Sequence, residues 1–363
     1  MERIRLLVPG NIHHHSGGNI YNARLVKGLT ALGVDVEVLT VDGSWPEARA
    51  KDRRRLGSLL GAWEPATEVE PGNVVTLVDG LIAMGAPDEM EFVAKARRKT
   101  CVLVHMPAPA HHELEARSLR AATAVVCTST WASKVLAARH GLQELKVALP
   151  GTDPAPLAEG SNPPHIAVVA ALLPNKDQLL TVSALATLKD HDWTASLVGS
   201  DQADDDYARK VRAAVETHGL GERIQLTGEL TGEALEIEWH RADLTMLVSR
   251  AEAFGMVVTE SLARGIPVIV RAGTGAVEAL RLGAPATSRN DDGGTLPGSA
   301  VAFPADDDPA NPALLAQVLR HWLEDAGTRA AWRSRALEAR GRLPGWNQTA
   351  AQVLEALAEH RSA

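Results

Sequence analysis

The 363-residue sequence holds only two cysteines, Cys101 and Cys127, isolated from each other and without CxxC spacing. Neither a disulfide framework nor a cysteine zinc site is expected, and both read as small buried residues. Aromatic residues are scarce, at 8 Trp, 2 Tyr and 3 Phe, and the formal net charge is −8. A nucleic-acid reader would show a basic stripe with interleaved aromatics, so that class is set aside. No uninterrupted apolar run reaches the about 18 residues of a membrane span, and the opening MERIRLLVPG lacks signal-peptide architecture. A soluble, cytoplasmic protein without a transmembrane segment is expected. The dinucleotide fingerprint GxGxxG is also missing, which weakens a nicotinamide or flavin reading.

What remains is the composition of an ordinary globular chain, 45% hydrophobic and 23% charged, long enough for two domains. Split at residue 160, the first part carries 18 basic and 18 acidic residues and the second 19 and 27, so the acidic excess lies in the second part. Short aliphatic runs alternate with helical patterns: 3-RIRLLVP-9, a helix over 19–33 closed by Gly33, then 34-VDVEVLT-40. Further strands are expected at 74–79, 101–105, 124–129 and 146–150. This rhythm predicts a parallel doubly wound sheet. It lapses in 153-DPAPLAEGSNPPH-165, a linker composition, and restarts with strands at 166–172, 194–200, 223–229, 243–249 and 267–273. Helices are expected between them at 176–189 and 206–219, and in the tail at 311–325 and 347–361. The reading is α/β: residues 1–160 form one Rossmann-like domain, 161–340 a second, and 341–363 a terminal helix packing back toward the first. In such sheets ligands bind beyond the carboxyl ends of the strands, so two domains facing a central cleft would place the chemistry in the loops after strands.

The loop 10-GNIHHHSGGNIYN-22 follows the first strand. Gly17 and Gly18 would let backbone N–H groups approach a phosphate at a helix N-terminus. His13, His14 and His15 alternate in direction along an extended segment and do not converge on a metal, and His111 and His112 are read the same way. His105 ends the strand 101-CVLVH-105 and is either a site residue or a hydrogen-bonded structural histidine. In 249-SRAEAFGMVVTESLARGIPVIV-270, Glu252 lies in a loop after a strand and Glu260 on the following helix, spaced to reach different parts of one extended ligand; Glu260 could equally be an exposed helical acid. The cluster 204-DDD-206 reads as a helix N-cap. The basic run 49-RAKDRRR-55 reads as a solvated face, or as contact with an anionic acceptor or membrane face.

This last long segment resembles the E-x7-E signature of retaining glycosyltransferases of family 4, which have the GT-B fold. The resemblance extends in order through 17-GG-18, 101-CVLVH-105, 149-LPGTD-153, 169-VAALLPNKD-177, 226-LTGEL-230 and 275-GAVE-278, nearly the whole chain. It implies a metal-independent transfer of a sugar from a nucleotide-sugar donor to an acceptor that it does not identify, with no cofactor beyond the donor. By the same resemblance Glu252 approaches the sugar hydroxyls and Glu260 the ribose. The backbone of Phe254, Gly255, Met256 and Val257 holds sugar and diphosphate, and Lys176 neutralises the diphosphate with the amides of Gly17 and Gly18. Gly199 joins the donor side, and His105 sits near the transferred sugar. One position departs from the family: Ala171 stands where an arginine is usual, five residues before Lys176. The acceptor would contact the first domain, through the loops 42–55 and 106–118. The fold also admits an epimerase, a phosphorylase or a non-catalytic nucleotide-sugar binder.

Overall fold

The computed structural model describes residues 3–11, 16–63, 74–285 and 296–359; His13, His14 and His15 lie outside the described residues. The chain divides into two units, Met1–Gly151 with Pro344–Ala363, and Thr152–Leu343.

In the first unit, β1 (Arg3–Pro9), β2 (Asp35–Val41), β3 (Val74–Asp79), β4 (Thr100–Val104), β5 (Ala124–Cys127) and β6 (Lys146–Val147) form one parallel sheet in the order β2-β1-β3-β4-β5-β6. The inner strands β4 and β5 are buried along their whole length, which is why they read as unbroken apolar runs and not as alternating patterns. Helix Gly17–Ala31 crosses from β1 to β2, and the strand order reverses between β1 and β3. That reversal is the switch point at which a doubly wound sheet opens a crevice at its carboxyl edge. The buried thiols of Cys101 and Cys127 are both pushed up to about 12, Cys101 by burial and Cys127 by burial and the Glu115 charge.

The terminal helix Trp346–Glu359 belongs to this unit. Its Ala350, Val353 and Leu357 complete a core with Ile4, Leu6, Tyr21 and Leu25. The Tyr21 hydroxyl donates to the Ala148 carbonyl at 2.9 Å, and the Thr349 hydroxyl to that of Leu149 at 2.8 Å. Gly28 permits the helices to touch, since a Cβ there would stand 2.9 Å from that of Ala350.

The second unit repeats the architecture with β7 (His165–Val169), β8 (Thr194–Val198), β9 (Ile224–Gly228), β10 (Leu244–Leu247), β11 (Val268–Arg271) and β12 (Gly298–Val301), in the parallel order β12-β11-β10-β7-β8-β9. Its switch point lies between β7 and β10. Strand β12 escapes the sequence patterns because GSAV opens with two weak strand formers. The expected helix at 176–189 begins later, at Gln178, and Lys176 closes a 3₁₀ turn instead. The proline-rich stretch from residue 153 packs on the second unit: Ala158 is buried with Trp239, Ala242 and Ile266, and the Glu159 N–H donates to the His240 carbonyl at 2.8 Å. The unit therefore starts at Thr152, where the sequence suggests residue 161. Asp204 does cap its helix, accepting from the Tyr207 N–H at 2.9 Å. Among the described residues no helix is long and apolar enough to cross a membrane.

Candidate active site

In the second unit the loops after β7 and β10, the two strands flanking the switch point, meet. The Lys176 ammonium lies 2.7 Å from Glu252 Oε2, although 76 residues separate them in sequence. Both side chains keep some solvent access, 21% and 12%. An ammonium has three donors, and Glu252 engages one of them.

The loops are held in place by a buried ionic knot. Asp177, in the left-handed backbone region at φ 57°, accepts from both Nε and Nη2 of Arg250 at 3.1 and 3.2 Å, and from Arg271 Nη2 at 2.6 Å. Arg271 also donates to the Val248 carbonyl and to Asp306, and Arg250 pairs with Asp307 at 2.8 Å. Asp177 and Arg271 are almost fully buried. Burial disfavours the Arg250 charge, but the hydrogen bonds to Asp177 and Asp307 outweigh it and hold its pKa above the ordinary range. A backbone bond from the Arg250 N–H to Asn175 O, 2.7 Å, fixes the loops to each other.

Gly255 at φ 83° turns the chain into helix Met256–Ala263, which opens without a side-chain cap. Its first N–H groups are thus the kind of donors that a phosphate accepts. Phe254 is buried, so only its backbone can serve a ligand; Met256 and Val257 are partly exposed. Glu260 lies one turn into the helix, partly exposed. Gly275 donates its N–H to the Glu252 carbonyl at 2.7 Å, and any side chain there would overlap the Ala253 carbonyl, so only glycine lets the loops after β10 and β11 approach this closely. Gly199 likewise abuts the Ala170 carbonyl. At Ala171 the carbonyl accepts from the Gln178 side chain at 2.9 Å.

In the first unit the structure brings Gly18 and His105 together. A Cβ on Gly18 would stand 3.1 Å from the imidazole, so this glycine makes room for the ring as well as exposing backbone. Gly17 and Gly18 open their helix behind Ser16, whose hydroxyl accepts from the Asn19 N–H at 3.1 Å. His105 Nε2 lies 3.0 Å from Asn22 Oδ1 and 3.4 Å from Asp79 Oδ2, and the Asn22 amide donates to Asp79 at 3.4 Å. That last contact orients the Asn22 amide with its oxygen toward the ring, so that both neighbours of Nε2 are acceptors. Asn22 and Asp79 escaped the sequence reading. Asp79 could have been found by the criterion that picked out His105, because it ends a strand, and Asn22 because it stands four residues after Gly18 on one helix face.

Among the described residues no group of three His, Cys, Asp or Glu side chains is placed to hold a metal ion.

The family model described as glycosyl transferases group 1 matches residues 152–339, which is nearly the whole second unit. A D-inositol 3-phosphate glycosyltransferase from Catenulispora acidiphila is 31% identical over 166 residues, 46% of this chain; the match covers about a third, 34%, of that relative's length. The sucrose-phosphate synthase of Thermosynechococcus elongatus superposes with a TM-score of 0.73 at 19% identity, covering 99% of each chain. The Anabaena protein HepE, solved with UDP and glucose, gives 0.69 at 19% identity over 98% of this chain and 99% of its own. These likenesses establish the fold, two Rossmann-like units of the GT-B class.

Proposed function

The chain belongs to the group 1 glycosyl transferases, and from that premise we propose that it moves a sugar from a nucleotide-sugar donor to an acceptor hydroxyl with retention of anomeric configuration. The observation that carries this reading is the 2.7 Å pair of Lys176 and Glu252 at the switch point of the second sheet, beside an uncapped helix N-terminus. Cleaving a sugar–diphosphate bond develops positive charge on the sugar and negative charge on the leaving oxygen, and preorganised cations and N–H donors at that oxygen lower the barrier. Lys176 and the amides at Met256 and Val257 supply them without a metal. Glu252 carries the complementary charge: sugar hydroxyls donating to it would release Lys176 toward the diphosphate.

Retention follows if the acceptor attacks from the leaving-group face, with the departing phosphate taking its proton. Glu260 would accept from the ribose, and His105, oriented by Asn22 and Asp79, would present Nδ1 or its ring edge toward the sugar. The relative named for D-inositol 3-phosphate and the structure named for sucrose phosphate favour a polar, hydroxyl-rich acceptor.

A nucleotide-sugar panel scored by thermal shift and slow donor hydrolysis identifies the donor, and proton NMR of the transferred product reads the anomer. An α-linked product from an α-linked donor is expected. A β-anomeric coupling overturns retention, and an epimerised sugar formed without any acceptor moves the reading to an epimerase.

A further inference from the structure

Aromatic residues are scarce in this chain, yet two of them stand side by side on the surface of the first unit. Trp63, which follows helix Ala50–Leu59, is 49% exposed, and Phe92, on helix Pro87–Lys95, is 43% exposed; their ring centroids lie 5.2 Å apart. Leu59, four residues before Trp63, is exposed as well. The pair is held in place. Gly57 lets the indole fold back onto helix Ala50–Leu59, since a Cβ there would stand 2.6 Å from the ring. The Lys95 ammonium sits over the Phe92 ring, 5.3 Å from its centroid. Rings already fixed lose little freedom when a partner covers them, which is what makes aromatic side chains effective interface anchors.

Charge runs along the same face with a direction. Asp88, Phe92 and Lys95, spaced i, i+4 and i+7, share one side of helix Pro87–Lys95, while Met90 and Val93 are buried on another. At the acidic end Arg117 bonds both Asp88 and Glu91, so one of these two negative charges is uncompensated. At the basic end Lys95 makes no ion pair among the described residues, and the exposed Arg97 and Lys99 follow it. Along the helix axis Asp88 and Lys95 lie at similar distances from Phe92, about 6 and 4.5 Å.

We infer that this face is where two copies of the chain associate about a two-fold axis through Phe92, with the two Pro87–Lys95 helices antiparallel. A stripe that is acidic at one end and basic at the other is complementary to itself after half a turn. The aromatic centre then meets its own counterpart, and Asp88 of each copy meets Lys95 of the other. A uniformly anionic surface would draw one end of the stripe and repel the other. Half-exposed aromatic side chains leave on the order of 100 Å² each to be covered. That is small beside the about 800 Å² per partner of a standard interface, so the dimer is a weak one that dissociates in the micromolar range. The interface does not depend on the proposed transfer.

Sedimentation equilibrium of the full chain at low ionic strength, from about 1 to 200 µM, brackets that range. The average mass should climb from one chain toward two, and Phe92→Asp should weaken association by at least on the order of tenfold. Asp88→Lys alone, or Lys95→Glu alone, sets like charges opposite each other at both contacts, so each variant associates on the order of tenfold more weakly than the parent. An equimolar mixture of these two variants restores opposite charges at both contacts, and it associates more tightly than either variant by itself. A loss of stability in the variants would produce no such rescue. A parent chain that stays monomeric to about 200 µM, a Phe92→Asp variant that associates as the parent does, or a mixture no tighter than its components overturns the interface. Monomers that instead sediment with phosphatidylglycerol vesicles in a Phe92-dependent way give the face to a membrane and overturn the dimer as well.

Discussion

Lys176 and Glu260 are assigned different tasks, and single substitutions separate them. Under the proposed transfer Lys176 would face charge that grows during the reaction, so Lys176→Ala should lower kcat by on the order of 10²- to 10³-fold. Glu260 would contact the unreacting ribose, so Glu260→Ala raises donor KM and leaves kcat closer to the parent value. Steady-state kinetics with the donor found by the panel distinguish the two; unchanged parameters in both variants remove the assignments. Legibility differs along the same line. Lys176 and Glu252, which the structure pairs, were readable because each stands in a local motif. The partners that fix them were not: Asp177 meets Arg250 and Arg271 across 73 and 94 residues of sequence, and no local pattern records such a pairing. Asn22 and Asp79 join His105 for the same reason, through the parallel arrangement of β1, β3 and β4.

At the scale of elements, the ends of β7, β10 and β11 are tied by one carboxylate. Asp177→Asn keeps the volume and tolerates a left-handed backbone, so it removes charge alone. Arg271 would stay buried with only the half-exposed Asp306 as counter-ion. Breaking a buried pair costs about 3–5 kcal/mol, and the remaining partner argues for about 3. In a unit of this size the unfolding midpoint should fall by roughly 6–12 °C, read by calorimetry. A shift below about 2 °C would mean that the knot is not needed for folding. Elements were otherwise legible where their period was strong, as in β3 and the helix from Asp205. They were lost where strands were short, as in β12, or where loops owe their place to distant contacts, as Ala158 does beneath Trp239.

For the whole molecule, the decisive fact is that one unit is continuous in sequence and the other is not. Leu357, near the chain's end, is buried in the core that contains Ile4 and Leu6 near its beginning. Leu357→Ala should cost about 2–5 kcal/mol and lower the transition of the first unit while that of the second stays in place, as differential scanning calorimetry can resolve. Equal shifts in both transitions would instead show that the units unfold together.

The same arrangement sets an order of events during synthesis. Residues up to Gly151 cannot finish their core until helix Trp346–Glu359 emerges, whereas Thr152–Leu343 can close as soon as it is made. At about 5–20 residues per second, translating that intervening stretch takes roughly 10–40 s. For that interval the apolar surface of Tyr21, Leu25 and Leu29 awaits its cover. The amino-terminal part of the first unit is therefore the part of the chain left uncovered longest, and a chain stalled before Trp346 would carry one closed unit beside an exposed apolar surface.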